Sequence, residues 1–432
     1  MRLCLRTPLA LAFCISAHIN PDLEGELVVS VEEQLKVITS GTMQIVPLEE
    51  LKAKLMQQRP LTIKLGVDPT SPDLHLGHAV PLRKMRQFQD LGHNVVLIIG
   101  NGTALIGDPS GRDSTRPPLT EEQVETNAQT YVAQAMKILD PAKTKIVHNG
   151  DWLKPLDLAK MLKLMSQFNV ARILEREDFH NRYTQGLSIS LHEFIYPVLQ
   201  AYDSVVVKAD LEMGGNDQIF NLLAGRDLMR AMGMEPQVAL TMPLLVGIDG
   251  SKKMSKSYKN YVGLTDSPSD MFGKLMSIPD ELIASYWRLC STFSIDEIDA
   301  VDEAFAKGTA DPYALKRRLA ENIVDLYHGA GAGASARDAF DLTFKKHEVP
   351  EDIPEFPFSV VEPGEDGTLY LPKLLVSLNL APSAGEARRR IDGGGIKIDG
   401  ASLPAGSYNV DANVIARGAV LQFGKRKWAR LV

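Results

Sequence analysis

The feature that most constrains this chain is Val95-Val96-Leu97-Ile98-Ile99, an unbroken apolar run in which all but Leu97 are β-branched. Such a run reads as a strand buried on both faces, the habit of parallel sheets covered by helices. Leu61-Thr62-Ile63-Lys64-Leu65-Gly66-Val67 alternates at period two and reads as another strand. Between them Val80, Leu82, Met85 and Phe88 fall at helical spacing, and Gly92 ends the pattern. Strand, helix and buried strand make a βαβ unit, so the expected fold is α/β with a Rossmann-like parallel-sheet domain.

A chain of 432 residues has room for two to four domains. Residues 1–45 read as an N-terminal extension, expected to be disordered apart from a short acidic helix near Val31 to Leu35. Its first residues look superficially like a signal peptide, but the apolar stretch Leu9 to Phe13 is short and no small-x-small cleavage site follows. Residues 46–265 form the Rossmann-like domain, with a helical lead-in at Leu48 to Gln58. Thr120 to about Ser190 is expected to be mostly helical, with an insertion at about 130–190. Val205-Val206-Val207 reads as a strand, and a helix follows Gly214-Gly215-Asn216 as far as Met232. Residues 266–349 read as a helical domain and 350–367, rich in proline and acid, as a linker. Residues 368–432 read as a small α+β unit, with helices at Leu371 to Leu378 and around Arg388-Arg389-Arg390, and strands near Ile396 and Val420.

Charge separates that last unit from the rest. Thr368 to Val432 carries ten Lys/Arg against four acids, a balance of +6, and since the whole chain is −7 the remainder is −13. A basic module on an acidic body suits a polyanion partner, although a solvated charged face fits the charge alone equally well. Cys4, Cys14 and Cys290 lack metal-ligand or redox spacing, which points to reduced thiols in the cytoplasm. No stretch is long and apolar enough to span a membrane. No carboxylate cluster suggests a protein-built metal site.

His75-Leu76-Gly77-His78 opens the helix after the first strand of the sheet. Free N–H groups and the positive end of the helix dipole suit a phosphate there, and Gly77 leaves room for a flat ring. Taken alone, this motif is better read as a capped helix with incidental histidines. Lys253-Met254-Ser255-Lys256-Ser257 is a doubly cationic loop suited to charge that builds on a triphosphate as pyrophosphate leaves. Taken alone, it is better read as an exposed basic loop. The order of the two along the chain, one on the first βα unit and the other after the sheet, makes them halves of one ATP-using site.

With these motifs the chain resembles the class I aminoacyl-tRNA synthetases, and more narrowly the bacterial tyrosyl-tRNA synthetases. The resemblance runs from about Leu48 to the C-terminus. Besides the lysine loop it rests on Asp68 to His78, Ile106 to Gly111, Tyr196 to Asp203 and Gly214 to Gln218. It implies that ATP and L-tyrosine react to tyrosyl-adenylate, and that the tyrosyl group passes to the 3′ end of tRNA(Tyr). By that resemblance Asp203 accepts from the substrate phenol, while Tyr196, Gln200 and Asp108 hold its ammonium. Their spacing of four and seven puts Tyr196, Gln200 and Asp203 on one helix face, with Pro197 at a helix start or kink. Asp217 and Gln218 would meet the ATP ribose and the tyrosine carboxylate region. Thr70, His75 and His78 would meet the phosphates, and Arg112 and Arg116 would help Lys253 and Lys256 hold pyrophosphate. A site that bonds the substrate hydroxyl rejects phenylalanine, a rule for which tyrosyl enzymes are themselves the usual illustration, at about 10⁵-fold without editing.

Two positions depart from the family pattern. Lys64 stands where a tyrosine often helps read the hydroxyl, and Asn216 where Ser or Thr is usual. The C-terminal segment resembles an S4-type RNA-binding domain, which implies that Arg388, Arg389, Arg390 and Lys397 grip tRNA phosphates. The resemblance also implies a homodimer paired through the insertion, and Mg2+ arriving with ATP. A tryptophanyl enzyme is the nearest rival, disfavoured by Asp203 with Tyr196 and Gln200. A catalytically idle RNA-binding protein is the other, disfavoured by Lys253 and Lys256.

The tyrosine carboxylate is already ionised, so the first step requires positioning and charge stabilisation rather than a base. Lys256→Ala is therefore expected to slow adenylate formation while tyrosine affinity barely changes. Pre-steady-state adenylate formation and equilibrium tyrosine binding check this, and equal loss of both would refute a transition-state role.

Overall fold

The computed structural model describes residues 29–70, 73–109, 120–342, 353–361, 363–364, 367–412, 415, 418–424 and 427–432. Two compact units divide at Gly333 and Ala334. The first is built on a six-stranded sheet: β1 (Gln44–Val46), β2 (Thr62–Val67), β3 (Asn94–Ile99), β4 (Thr144–His148), β5 (Leu211–Gly215) and β6 (Val238–Met242). The order is β1-β6-β5-β2-β3-β4, parallel throughout except for β1, which runs antiparallel to β6. Ile63, Leu65, Leu97, Ile98 and Leu211 are buried in it, as the uninterrupted apolar run at β3 predicts. The β2-to-β3 crossover is the helix Leu76–Asp90, whose Leu76, Val80, Leu82, Met85 and Phe88 are buried.

Several expectations change. Residues 29–45 are not a disordered extension, while residues 1–28 lie outside the described residues. Ser30 and Glu33 form a capping box on the helix Val31–Thr39, which buries Ile38. The buried Lys84 ammonium ties the helix end down through Val37 O and Ser40 O (2.9 and 2.8 Å). The stretch read as mostly helical contains β4, which belongs to the sheet. With only Ile146 and Val147 apolar and one neighbouring strand, this edge strand carries a weak apolar signal. Val205-Val206-Val207 is not a strand but the last turn of the helix Leu191–Val207, which Lys208 ends in the left-handed conformation. Helix packing overrides β-propensity there. Of the two readings of Pro197, helix start or kink, the start is excluded, since Pro197 sits inside this helix.

The second unit holds β7 (Glu355–Phe356), β8 (Thr368–Tyr370), β9 (Ile396–Ile398), β10 (Ala401–Ser402), β11 (Asn409–Asp411), β12 (Val420–Phe423) and β13 (Lys427–Leu431). One sheet runs β10-β9-β12-β13-β7 and a smaller one pairs β11 with β8. The helices Leu371–Ser377 and Ala384–Asp392 pack Leu374, Leu375 and Ile391 against Ile396 and Leu421. The stretch read as a linker is partly structured, because β7 pairs in parallel with Arg430 and Leu431.

Between β4 and β5, short helices lead into Leu191–Val207. Their junction is a bidentate ion pair: Arg182 Nη1 and Nη2 lie 2.6 and 3.0 Å from the Glu193 carboxylate, both side chains nearly sealed from water. Glu193 also caps the helix start by accepting from Ser190 N at 2.8 Å. Arg182→Met strands a buried carboxylate and is expected to cost about 3–5 kcal/mol in urea denaturation, with much of it recovered on adding Glu193→Gln. Additive losses would contradict this.

Candidate active site

Chain order reverses at β2, with β3 and β4 to one side and β5 and β6 to the other, so a crevice opens beyond the carboxyl ends of the strands. A cavity of about 300 Å³ fills it. The strand ends supply its walls: Asp68 after β2, Gly100 after β3, Asn149 after β4, Gly215 on β5 and Met242 on β6. Of the residues singled out from the sequence, Thr70, Gly77, His78, Asp108, Tyr196, Gln200, Asp203, Asp217 and Gln218 line it. Arg112 and Arg116 lie outside the described residues. Arg388, Arg389, Arg390 and Lys397 belong to the second unit.

The two short motifs are joined through the backbone. Leu76 N donates to Val262 O at 3.0 Å and Leu264 N to Leu74 O at 2.9 Å, so His75 bridges to Gly263. The lysine loop between Gly250 and Asn260 is shaped by Asn260, which is buried. Its Oδ1 accepts from Ser255 N at 2.8 Å, and its Nδ2 donates to Asp249 Oδ2 at 3.0 Å and Lys253 O at 3.2 Å. Lys256 Nζ reaches Asp73 Oδ2 at 3.3 Å, beside the histidine motif.

The histidine rings lie 3.8 Å apart. His75 N donates to His78 Nδ1 at 3.3 Å, so the neutral His78 ring carries its proton on Nε2 and is a hydrogen-bond donor at the cavity wall. Burial, with Lys256 nearby, pushes His78 down to about 4; burial, His78 and Lys256 push His75 down to about 3. Both are neutral at physiological pH; among the described residues Lys253, Lys256 and Arg176 bring positive charge near the cavity, though none of the three lines it. Burial raises Asp217, reinforced by Asp108 and opposed by Lys253.

One wall is a chain of hydrogen bonds. Tyr196 OH donates to Asp68 Oδ2 (3.0 Å), Thr103 Oγ1 to Asp68 Oδ1 (2.7 Å), and Asn149 Nδ2 to Thr103 Oγ1 (3.0 Å) and Asp203 Oδ2 (3.2 Å). Trp152 Nε1 donates to Asp203 Oδ1 at 2.8 Å. Gly100 permits this closeness, since a Cβ there would lie 2.0 Å from Asp68 Oδ1. Burial pushes Asp203 up to about 6, against the opposing effects of Lys64 and Trp152. Asp68 is pushed up to about 7 by burial, against the Thr103 hydrogen bond.

At the other end Gln218 Nε2 donates to Asp108 Oδ2 at 2.7 Å, and Asn221 Nδ2 to Gln218 Oε1 at 2.9 Å. The buried Arg176 braces both, with Nη1 3.2 Å from Asn221 Oδ1 and Nη2 3.6 Å from Asp108 Oδ1. Asn216, the other departure from the pattern, accepts from Gln44 Nε2 and Thr241 Oγ1.

Sequence reasoning missed Thr103, Asn149, Trp152, Arg176 and Asn260 as site residues. Asn149 and Trp152 follow the overlooked β4, and recognising that strand would have placed Asn149 at the cavity and Trp152 behind Asp203. Lys64 was read as standing where a hydroxyl-reading group belongs. It does not line the cavity; its side chain is sealed beneath and paired with Glu212.

Residues 56–345 match the family described as tRNA synthetases class I (W and Y). The chain is 48% identical over 401 residues to a tyrosine–tRNA ligase of Oleidesulfovibrio alaskensis, covering 93% of this chain and 99% of that protein. It is 46% identical over 405 residues to one of Moorella thermoacetica, covering 93% and 96%. Its fold is similar to a tyrosyl-tRNA synthetase from Archaeoglobus fulgidus complexed with L-tyrosine (TM-score 0.60, 22% identity, 71% of this chain and 100% of that one). A C-terminally truncated mitochondrial tyrosyl-tRNA synthetase from Aspergillus nidulans is similar too (TM-score 0.60, 20% identity, 73% and 94%). At those identities the two structures speak for the fold alone.

The raised Asp68 carboxyl makes a testable difference to stability. Between about pH 4 and 7 the native protein keeps a proton that the unfolded chain releases, so this group lowers stability as pH rises through that window. The depressed histidines act in the opposite sense below about pH 6.5 and are common to wild type and variant. Asp68→Asn is therefore expected to gain stability relative to wild type on going from pH 5 to pH 8, by on the order of 2 kcal/mol in urea denaturation. A constant difference across that range would contradict it.

Proposed function

Because the chain belongs to the class I tRNA synthetases, and within them to the tyrosine–tRNA ligases, we infer how its cavity divides the labour of a two-step reaction. The protein activates L-tyrosine with ATP and charges tRNA(Tyr), releasing AMP and pyrophosphate. The observation that carries our assignment of the substrate end is Asp203, buried in the cavity with donors from Trp152 and Asn149 on its two oxygens. An ionised carboxylate keeps lone pairs for a phenol hydroxyl, and phenylalanine would leave them unpaired.

Tyr196, Gln200 and Asp108 surround the ammonium, and Gln218 with Asp217 lies toward the carboxylate and the ATP ribose. The α-phosphate sits near Gly77 and the Nε2 donor of His78, at the start of the helix Leu76–Asp90. Thr70 contributes a hydroxyl, and His75 orients His78 through its backbone N–H. Lys253 and Lys256, with Arg112 and Arg116, meet the departing pyrophosphate. Mg2+ arrives as part of the ATP substrate.

The second unit carries tRNA contacts in this reading, as an S4-like module. Arg388 is exposed, with its guanidinium 5.7 Å from the Tyr370 ring centroid and 5.9 Å from that of Tyr408, while Arg389 and Arg390 pair with Glu386 at 2.6 and 3.6 Å. Such rim pairs exchange readily for phosphate contacts. Residues 266–349 serve the anticodon stem. Exposed Leu158, Leu162, Val170 and Leu191 support a homodimer formed through the insertion. The compartment is the cytoplasm, where the free thiol of buried Cys290 persists; no described helix is long and apolar enough to cross a membrane.

Amino-acid-dependent ATP–pyrophosphate exchange tests this reading, with strong exchange expected for tyrosine and background for tryptophan and phenylalanine. Because Asp203 must be ionised to accept the phenol, kcat/KM for tyrosine should fall tenfold per pH unit well below about pH 6. Asp203→Asn should remove both the tyrosine preference and that acid limb. Exchange with tryptophan, or an unchanged acid limb in the variant, would overturn the assignment.

A further inference from the structure

Lys64 and Glu212 face each other in register on the neighbouring strands β2 and β5, both 0% exposed, with Nζ 2.9 Å from Oε1. Burying two charges so completely seldom stabilises a fold more than an apolar pair would, which leaves their presence under the cavity to be explained. Hydrogen bonding fixes their orientation. Lys64 Nζ also donates to Ser204 Oγ at 2.7 Å and Gln200 O at 3.1 Å. Glu212 Oε2 accepts from Ser204 Oγ at 3.0 Å and from Gln237 Nε2 at 2.5 Å. The helix Ile219–Ala231 closes the cluster at Gly225, where a Cβ would stand 2.5 Å from Gln237 Nε2 and 3.2 Å from Glu212 Oε2.

One member of this cluster reaches the cavity. Gln200 lines it, and its Nε2 donates to Glu212 Oε1 at 3.1 Å. A carboxylate only accepts, so the NH2 end of the Gln200 amide must face Glu212 and the oxygen must face away. That oxygen, Oε1, is buried and has no hydrogen-bond partner among the described residues. A buried acceptor left without a donor is unfavourable until a ligand supplies one. A cationic N–H donor suits it best, and Glu212 prevents the amide from flipping to present its NH2 instead.

We propose that the Lys64–Glu212 pair is a positioning device for the substrate ammonium. Glu212 orients the Gln200 amide with its oxygen free for the ammonium, and Lys64 holds Glu212 and the Gln200 backbone in place. This rests on the reading of the cavity as a tyrosine site and adds two positioning residues that never touch the substrate. Lys64 thereby acts at the ammonium end through Gln200, in addition to its electrostatic effect on Asp203, and touches neither end of the substrate.

The test is Glu212→Gln, which keeps the shape and lets residue 212 donate, so that Gln200 can flip. KM for L-tyrosine in pyrophosphate exchange is compared with Ki for 3-(4-hydroxyphenyl)propanoate, which keeps the phenol and carboxylate but lacks the amine. Both are measured at pH 8, where Asp203 is ionised. Tyrosine should weaken by about tenfold or more, while the deamino acid shifts by less than about twofold. In a Gln200→Leu background, Glu212→Gln should add no further selective loss. Should Glu212→Gln fail to fold, Lys64→Met with Glu212→Gln removes the stranded charge and should show the same selective loss. Equal weakening of both ligands, or none for tyrosine, would overturn the positioning role while wild-type exchange leaves the function standing. Absence of tyrosine-dependent exchange in the wild type would overturn both.

Discussion

Two backbone hydrogen bonds, Leu76 N to Val262 O and Leu264 N to Leu74 O, hold the start of the His75–His78 helix against the segment that follows the lysine loop. Everything proposed for the nucleotide depends on that splice. A helix N-terminus alone binds anions weakly and a lysine loop alone is a solvated basic surface; stitched together they bring the His78 imidazole at the cavity wall and the Lys256 ammonium, paired with Asp73, into one neighbourhood. The splice uses main-chain atoms, so it specifies distance without constraining the side chains that face the cavity.

The acidic wall of the cavity depends on pairing what it buries. Asp68, Asp108 and Asp203 crowd one cavity, and burial pushes Asp68 and Asp203 well above the usual carboxylate range. Such a cluster is tolerable because Thr103, Tyr196, Asn149, Trp152 and Gln218 donate to it. The donors come from elements far apart in sequence, and the sheet edge is what makes them neighbours. A wall assembled this way is held in place before any ligand arrives, which is what the proposed tyrosine site requires.

The βαβ unit and the two short motifs were legible because they are local: periodicity within a strand, spacing within a helix, charges within one loop. Tyr196, Gln200 and Asp203 were legible as a set for the same reason, lying on one face of one helix. What escaped was non-local. β4 has too few apolar residues to announce itself, and its pairing with β3 makes it a strand, so Asn149 and Trp152 at its end escaped with it. Val205 to Val207 have strand-like composition, but the helix begun at Ser190 carries through them. The strand Gln44–Val46 acquires its place only by pairing with β6. Lys64 could not be interpreted without Glu212, which lies nearly 150 residues away and faces it only across the sheet.

A crystal structure with a non-hydrolysable tyrosyl-adenylate analogue tests the proposed placement of the substrates most directly. The phenol should lie on Asp203, the ammonium within hydrogen-bond distance of Gln200 Oε1, and the phosphate against the helix start at Gly77 and His78, with Lys64 still bonded to Glu212 and out of contact with the ligand. A ligand whose phenol bonds Lys64, or whose phosphate lies away from the joined histidine and lysine motifs, would contradict it.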